Sequence, residues 1–113
     1  LTSQELIKYK GLQVAPAELE GVLTTHPSVA DAAVIGTQRE DTEVPTAYVA
    51  LAAGAKGKIS EAELVDYVQS KVSNHKRLRG GVVFINAIPR NPTGKIMRKE
   101  LRAIRNSQMK SKI

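Results

Sequence analysis

The chain has 113 residues, the size of one small domain with a single core. Apolar residues make up 42% and charged residues 25%, which excludes a disordered chain, and the longest apolar run, residues 47–55, is too short to span a bilayer. The absence of cysteine excludes a disulfide scaffold, cysteine catalysis and a cysteine-based zinc site, and His26 and His75 alone leave little for a histidine metal centre.

The net charge of +6 is unevenly spread. Residues 1–74 carry six basic and ten acidic side chains, whereas residues 75–113 carry eleven basic ones and a single acid, Glu100. A basic second half points to an anionic partner: nucleic acid, a membrane surface or a phosphorylated small molecule. No aromatic residue sits at 86–113, so the stacking platforms of a single-strand binder are missing there. Backbone-only duplex binding stays open as an alternative. The chain has no initiator Met and no signal-peptide pattern, and the expectation is an excised domain of a longer protein.

In chain order, residues 5–10 read as a short strand ended by Gly11, with Gln13-Val14 returning beside it as a hairpin turned at Lys10-Gly11. Pro16 suits a helix first turn, and Glu18 and Glu20 lie near the positive end of its dipole. Leu19, Val22 and Leu23 form its apolar stripe, and His26-Pro27 ends it. Residues 29–37 and 48–52 read as buried strands, and Glu40-Asp41-Thr42-Glu43 is expected to join them as a solvated loop.

A Gly/Lys turn at 53–58 precedes Ser60-Glu61-Ala62-Glu63, a capping box that opens a helix with Leu64, Val65, Val68 and Val72 on one face. Lys76-Arg77-Leu78-Arg79 leads through Gly80-Gly81 to a strand at 82–85. Two prolines and a glycine make 88–95 a loop. Met97, Leu101 and Ile104 mark a last short amphipathic helix, and 106–113 is expected to be a frayed basic tail. The sum is an α+β fold: a small three-stranded sheet flanked by about three helices, with an N-terminal β-hairpin.

Two motifs carry candidate chemistry. Pro92-Thr93-Gly94-Lys95 is not a phosphate-binding P-loop, which would need Gly at 89 and Ser or Thr at 96 where Pro89 and Ile96 stand. It places a lysine at the tip of a Pro/Gly loop. That is either a plain turn or a long-reaching point charge delivered to an anionic centre. In the first hairpin, alternation would set Lys8 and Lys10 on one strand face. Taken alone, this is an edge strand guarded by lysines against aggregation.

Together and in this order, the motifs are far more specific. The segment from Glu5-Leu6-Ile7-Lys8-Tyr9-Lys10-Gly11-Leu12-Gln13-Val14 to Ala15-Pro16-Ala17-Glu18-Leu19-Glu20 resembles the opening of the small C-terminal lid domain of adenylate-forming enzymes. His26-Pro27-Ser28-Val29-Ala30-Asp31-Ala32-Ala33-Val34 and Asn91-Pro92-Thr93-Gly94-Lys95-Ile96 match as well. The likeness runs from about Glu5 to Leu101 and is nearest to the 4-coumarate-CoA ligase and luciferase branch, on the strength of Lys8-Tyr9-Lys10-Gly11 followed by Gln13.

The resemblance implies the mobile lid of an ATP-dependent acyl- or aryl-CoA ligase. Such an enzyme activates a carboxylic acid as acyl-AMP and transfers it to coenzyme A, and the isolated lid is nearly inactive. The resemblance implies residues 5–105 as the lid, and a missing N-terminal domain of the same enzyme as partner. ATP, coenzyme A and the acid are substrates, with Mg2+ accompanying ATP but not held by this domain.

On this resemblance Lys95 serves adenylate formation. Lys8 and Gln13 touch the adenylate, with Lys8 catalytic in the thioester-forming pose, and Lys10 and Gly11 lie beside the coenzyme A arm. Arg77 and Arg79 are candidates for its phosphoadenosine end by charge alone. The alternatives are the same lid in a luciferase-like or carrier-loading enzyme, and a basic nucleic-acid-binding module.

The family hinge is expected where Leu1-Thr2-Ser3-Gln4 stand, so these four are either foreign residues or the remnant of an unusual hinge. The ending Ser111-Lys112-Ile113 resembles a peroxisomal address with one aliphatic swap, which implies an import receptor as a further partner and the peroxisome, otherwise the cytoplasm, as location.

Overall fold

The computed structural model describes residues 6–55 and 57–111, with the side chains of the last helix placed as far as Ile104. The hinge positions Leu1-Thr2-Ser3-Gln4 and the terminal Lys112-Ile113 lie outside the described residues.

The chain enters through a tight hairpin. Strand β1 (Ile7–Tyr9) pairs antiparallel with β2 (Leu12–Val14), Lys8 opposite Gln13. Lys10 and Gly11 form the two-residue turn with φ of 49° and 82°. Two successive positive φ values give the primed turn whose twist matches that of paired strands, and glycine takes the second position without steric cost. Helix α1 (Pro16–Thr24) follows, with Pro16 in its first turn and Leu19 and Leu23 fully buried.

Strands β3 (Val29–Arg39) and β4 (Thr42–Leu51) build one long antiparallel ribbon, closed by the two residues Glu40 and Asp41. Here the structure corrects the expected solvated loop. Thr42 and Glu43 belong to β4, paired with Arg39 and Gln38, and the turn is reached by a positive φ at Glu40. Their polar side chains carry no apolar alternation because they pack against the first hairpin's backbone.

Helix α2 (Glu61–Gln69) opens with the expected capping box. The Glu63 N–H donates to Ser60 Oγ, and the Ser60 N–H donates to Glu63 Oε1, both at 3.1 Å. A short 3-10 turn at Asn74–Lys76 leads to β5 (Val82–Phe84), which lies parallel to β4, so the sheet is mixed with order β3-β4-β5. Helix α3 (Arg98–Ser111) continues through the segment expected to fray. Its sequence from Arg98 onward contains no glycine or proline to stop it.

The sheet is buried on both faces. Ala32, Val34, Ala47, Val49 and Val82 meet the hairpin's Ile7 and Val14, α1 and α2 in one core. Ala33, Ile35, Tyr48 and Ala50 meet Ile88 and Leu101 of the α3 side in a second. This is the period-two alternation of a strand covered on both sides. The Gly80-Gly81 pair lets the chain run hard against β4. A Cβ on Gly80 would lie 1.9 Å from Thr46 Oγ1 and 2.9 Å from the Pro45 carbonyl, so only glycine fits. The architecture is the expected α+β one, with three helices, a three-stranded sheet and a separate hairpin.

Candidate functional site

The Lys95 loop is built on one carboxamide. Asn91 Oδ1 accepts from the Thr93 N–H at 3.0 Å, the Thr93 hydroxyl at 2.7 Å and the Lys95 N–H at 3.0 Å. This is an Asx turn extended to two further donors. The Asn91 N–H returns to the Lys95 carbonyl, and the Gly94 N–H to the Asn91 carbonyl. Gly94 holds φ +89°, which lets the chain turn back just before the lysine. The Lys95 side chain is exposed at this tip.

Arg90 fixes the loop to the sheet. It is fork-to-fork with Asp31 of β3, Nε to Oδ2 at 3.0 Å and Nη2 to Oδ1 at 2.7 Å. Its remaining nitrogen, Nη1, donates to the Gly94 carbonyl at 2.6 Å. The bidentate Arg90 contact, reinforced by the Ala32 N–H, holds the Asp31 carboxyl below its ordinary range against the opposing effect of partial burial.

A second polar joint lies beside it. Glu20 Oε2 accepts from the Val34 N–H at 2.8 Å and from Arg98 Nη2 at 2.7 Å, while Arg98 Nε donates to the Val34 carbonyl. The two side chains satisfy the outer edge of β3, which no strand covers. Burial pushes the Glu20 carboxyl up, outweighing the Val34 and Arg98 contacts.

At the other end of the ribbon stands the first hairpin. Lys8 and Gln13 are exposed and face each other across it. Lys10 lies in the turn rather than in β1, so it does not share a strand face with Lys8 as alternation suggested. Its ammonium sits 5.6 Å from the centre of the Tyr9 ring, whose other cation is the Arg79 guanidinium at 4.4 Å. Gly11 is exposed, with nothing within 4 Å of a would-be Cβ.

The structure therefore brings Lys8, Lys10, Gly11 and Gln13 together and sets Lys95 apart from them. The clamp residue Asp31 and the residue Gln38, paired with Glu43 beside the hairpin, are about 24 Å apart along β3 at the rise of an antiparallel strand. Among the described residues neither the Lys8 nor the Lys95 ammonium joins an ion pair. No group of three or more His, Cys, Asp or Glu stands together among them, and no helix there is long and apolar enough to cross a membrane. Arg90, Asp31, Glu20 and Arg98 were not legible as a framework. Their partners are 59 to 78 residues apart, although the Asn91-to-Lys95 spacing did carry a local turn signal.

Comparison with known proteins gives the family. A family model described as the AMP-binding enzyme C-terminal domain matches residues 18–95. Luciferin 4-monooxygenase of Luciola mingrelica is 53% identical over 103 residues, 89% of this chain and 18% of that protein. The 4-coumarate–CoA ligase 1 of Oryza sativa subsp. japonica is 50% identical over 101 residues, 88% of this chain and 17% of that protein. A solved Mycobacterium tuberculosis fatty acyl CoA synthetase superposes with a TM-score of 0.81 at 35% identity, covering 92% of this chain and 20% of that one. The chain thus spans about a fifth of the length of the relatives it matches.

The clamp predicts an acid-side signature. Because Arg90 lowers the Asp31 carboxyl below its ordinary 3.8, the pair stabilises the fold above that value. The contribution is lost as pH falls through the lowered value. Unfolding free energy, followed by denaturant titration from about pH 5 down to about pH 2.5, is expected to fall less steeply in Asp31→Asn than in the parent. Identical slopes would show that the pair is not formed in solution.

Proposed function

Since the chain belongs to the AMP-binding enzyme C-terminal domain family, we propose that it is the mobile lid of an ATP-dependent, AMP-forming acyl- or aryl-CoA ligase. The observation that carries this reading is that, among the described residues, the Lys8 hairpin and the Lys95 loop present exposed lysines outside any ion pair, one fastened near each end of the β3–β4 ribbon. A single static contact with a nucleotide needs one such tip. Two half-reactions served by a rotating lid need two.

In the first step a carboxylate oxygen of the acid attacks the α-phosphorus of ATP and pyrophosphate leaves. Negative charge gathers between carboxylate and phosphate, and Lys95 supplies the compensating cation there. The carboxylate is already ionised and nucleophilic, so no general base is required. In the second step the thiol sulfur of coenzyme A attacks the acyl carbon, the proton is lost, and AMP leaves with the electrons of the acyl–phosphate bond. Lys8 and Gln13 face the AMP portion in this pose, and the Lys10-Gly11 turn, free of a side chain at Gly11, lies along the coenzyme A arm. Mg2+ accompanies ATP in the partner domain, and the acid is also bound there.

A second reading, the same lid in an enzyme that oxidises its adenylate, is favoured by the likeness to the Luciola luciferin 4-monooxygenase. Dependence of product on coenzyme A separates the two. Family membership displaces the nucleic-acid-binding alternative. Part of the basic charge behind that alternative is already engaged internally, by Lys76 with Glu18, Arg90 with Asp31 and Arg98 with Glu20.

In the full-length enzyme, Lys95→Ala is expected to slow adenylate formation, read as pyrophosphate release, by about 100-fold or more. Thioester formation from preformed adenylate should be nearly unchanged. Lys8→Ala is expected to show the opposite bias. Equal losses in both half-reactions for both variants would contradict the two-tip assignment. For location, the ending Ser111-Lys112-Ile113 supports a peroxisomal address and its import receptor as partner. A fluorescent reporter carrying residues 104–113 should then become punctate, and a diffuse cytosolic reporter would remove the proposal.

A further inference from the structure

The hairpin that bears Lys8, Lys10 and Gly11 shares no backbone ladder with the three-stranded sheet. Its outer edge is held instead by two side chains of β4. Glu43 Oε1 accepts from the Lys8 N–H at 2.9 Å. Thr42 Oγ1 accepts from the Lys10 N–H at 2.7 Å and donates to the Lys8 carbonyl at 3.0 Å. These three bonds bracket the segment from Lys8 to Lys10 on the edge that β2 does not cover.

We propose that Thr42 and Glu43 are positioning residues, which aim the Lys8 and Lys10 side chains during thioester formation without touching substrate. The assignment rests on the lid reading above. Two features separate aiming from folding. The hairpin is anchored in the core independently, through Ile7 at 1% exposure and Val14 at 0%. The three bonds lie at the solvent-exposed surface, where each adds little to global stability. What they determine is direction. Without these bonds the outer edge of β1 is fixed only by its pairing with β2 and its core anchors, and the direction of the side chains it carries is less narrowly set. The Lys8 bond is the stronger of the two held by an N–H donor, because its acceptor is a carboxylate. Glu43 acts through its acceptor oxygen, and a glutamine carbonyl oxygen at the same place would keep the bond in weaker form.

The test uses the full-length enzyme with coenzyme A and a preformed acyl-adenylate. Glu43→Ala and Thr42→Val are expected to slow thioester formation by about 10- to 100-fold, the scale of a misplacement of about an ångström. Adenylate formation should stay within about twofold of the parent. Glu43→Gln and Thr42→Ser keep the acceptor oxygens and should restore most of the rate. Backbone amide exchange in the peptide containing Lys8 and Lys10 should quicken in Glu43→Ala and not in Glu43→Gln. Equal slowing of both half-reactions, a Gln variant as slow as the Ala variant, or unchanged amide exchange overturns the assignment. Lys8→Ala is measured alongside. If it is slow while Glu43→Ala runs at the parental rate, the positioning role alone fails. If Lys8→Ala also runs at the parental rate, the lid reading fails and takes the positioning role with it.

Discussion

The pairing of β3 with β4 is the constraint on which the other features depend. Its register runs from Val29 opposite Leu51 to Arg39 opposite Thr42, and a slip of one residue would exchange its two buried faces. Each end of the ribbon captures a different loop through side chains. Near its open end Asp31 receives Arg90, which holds the Gly94 carbonyl and so the Lys95 loop. Beside its turn Thr42 and Glu43 receive the backbone of Lys8 and Lys10. The spacing of the two lysine tips is thereby set by a strand pair to which both loops are bonded.

Three of the described cations are fastened in ion pairs. Lys76, Arg90 and Arg98 are each matched to a carboxylate from a distant part of the chain, and these pairs tie α1 and β3 to the C-terminal third. Lys8 and Lys95 are exposed and outside such pairs among the described residues. A lysine meant to meet a phosphate or carboxylate from another domain must stay uncommitted. A local partner would have to be displaced, and its desolvated charge would oppose the incoming anion. The excess positive charge of the second half is thus partly fastening and partly reserve.

Local signals were legible and remote ones were not. Lys10-Gly11 announced its turn because glycine at positive φ is a local steric fact, and Ser60 with Glu63 announced a helix start because both arms of the capping box lie within four residues. Thr42 and Glu43 look like loop in the sequence because their polar side chains serve the hairpin's backbone, a contact spanning more than thirty residues that no period-two pattern records. Glu20 looked like a residue placed for the helix dipole, whereas it closes the edge of β3 together with Arg98. Lys8 and Lys95 stand out by motif and resemblance, whereas the bonds that orient their backbone exist only in three dimensions.

The absence of cysteine allows the central claim to be measured directly. Spin labels on Leu12→Cys in the hairpin and Thr93→Cys in the Lys95 loop would report their separation by pulsed dipolar spectroscopy. Two loops fastened by side-chain bonds near opposite ends of one strand pair predict a single narrow distance distribution, unchanged by salt. A broad distribution, or several separate distances, would contradict a lid whose two tips are held apart by its own sheet.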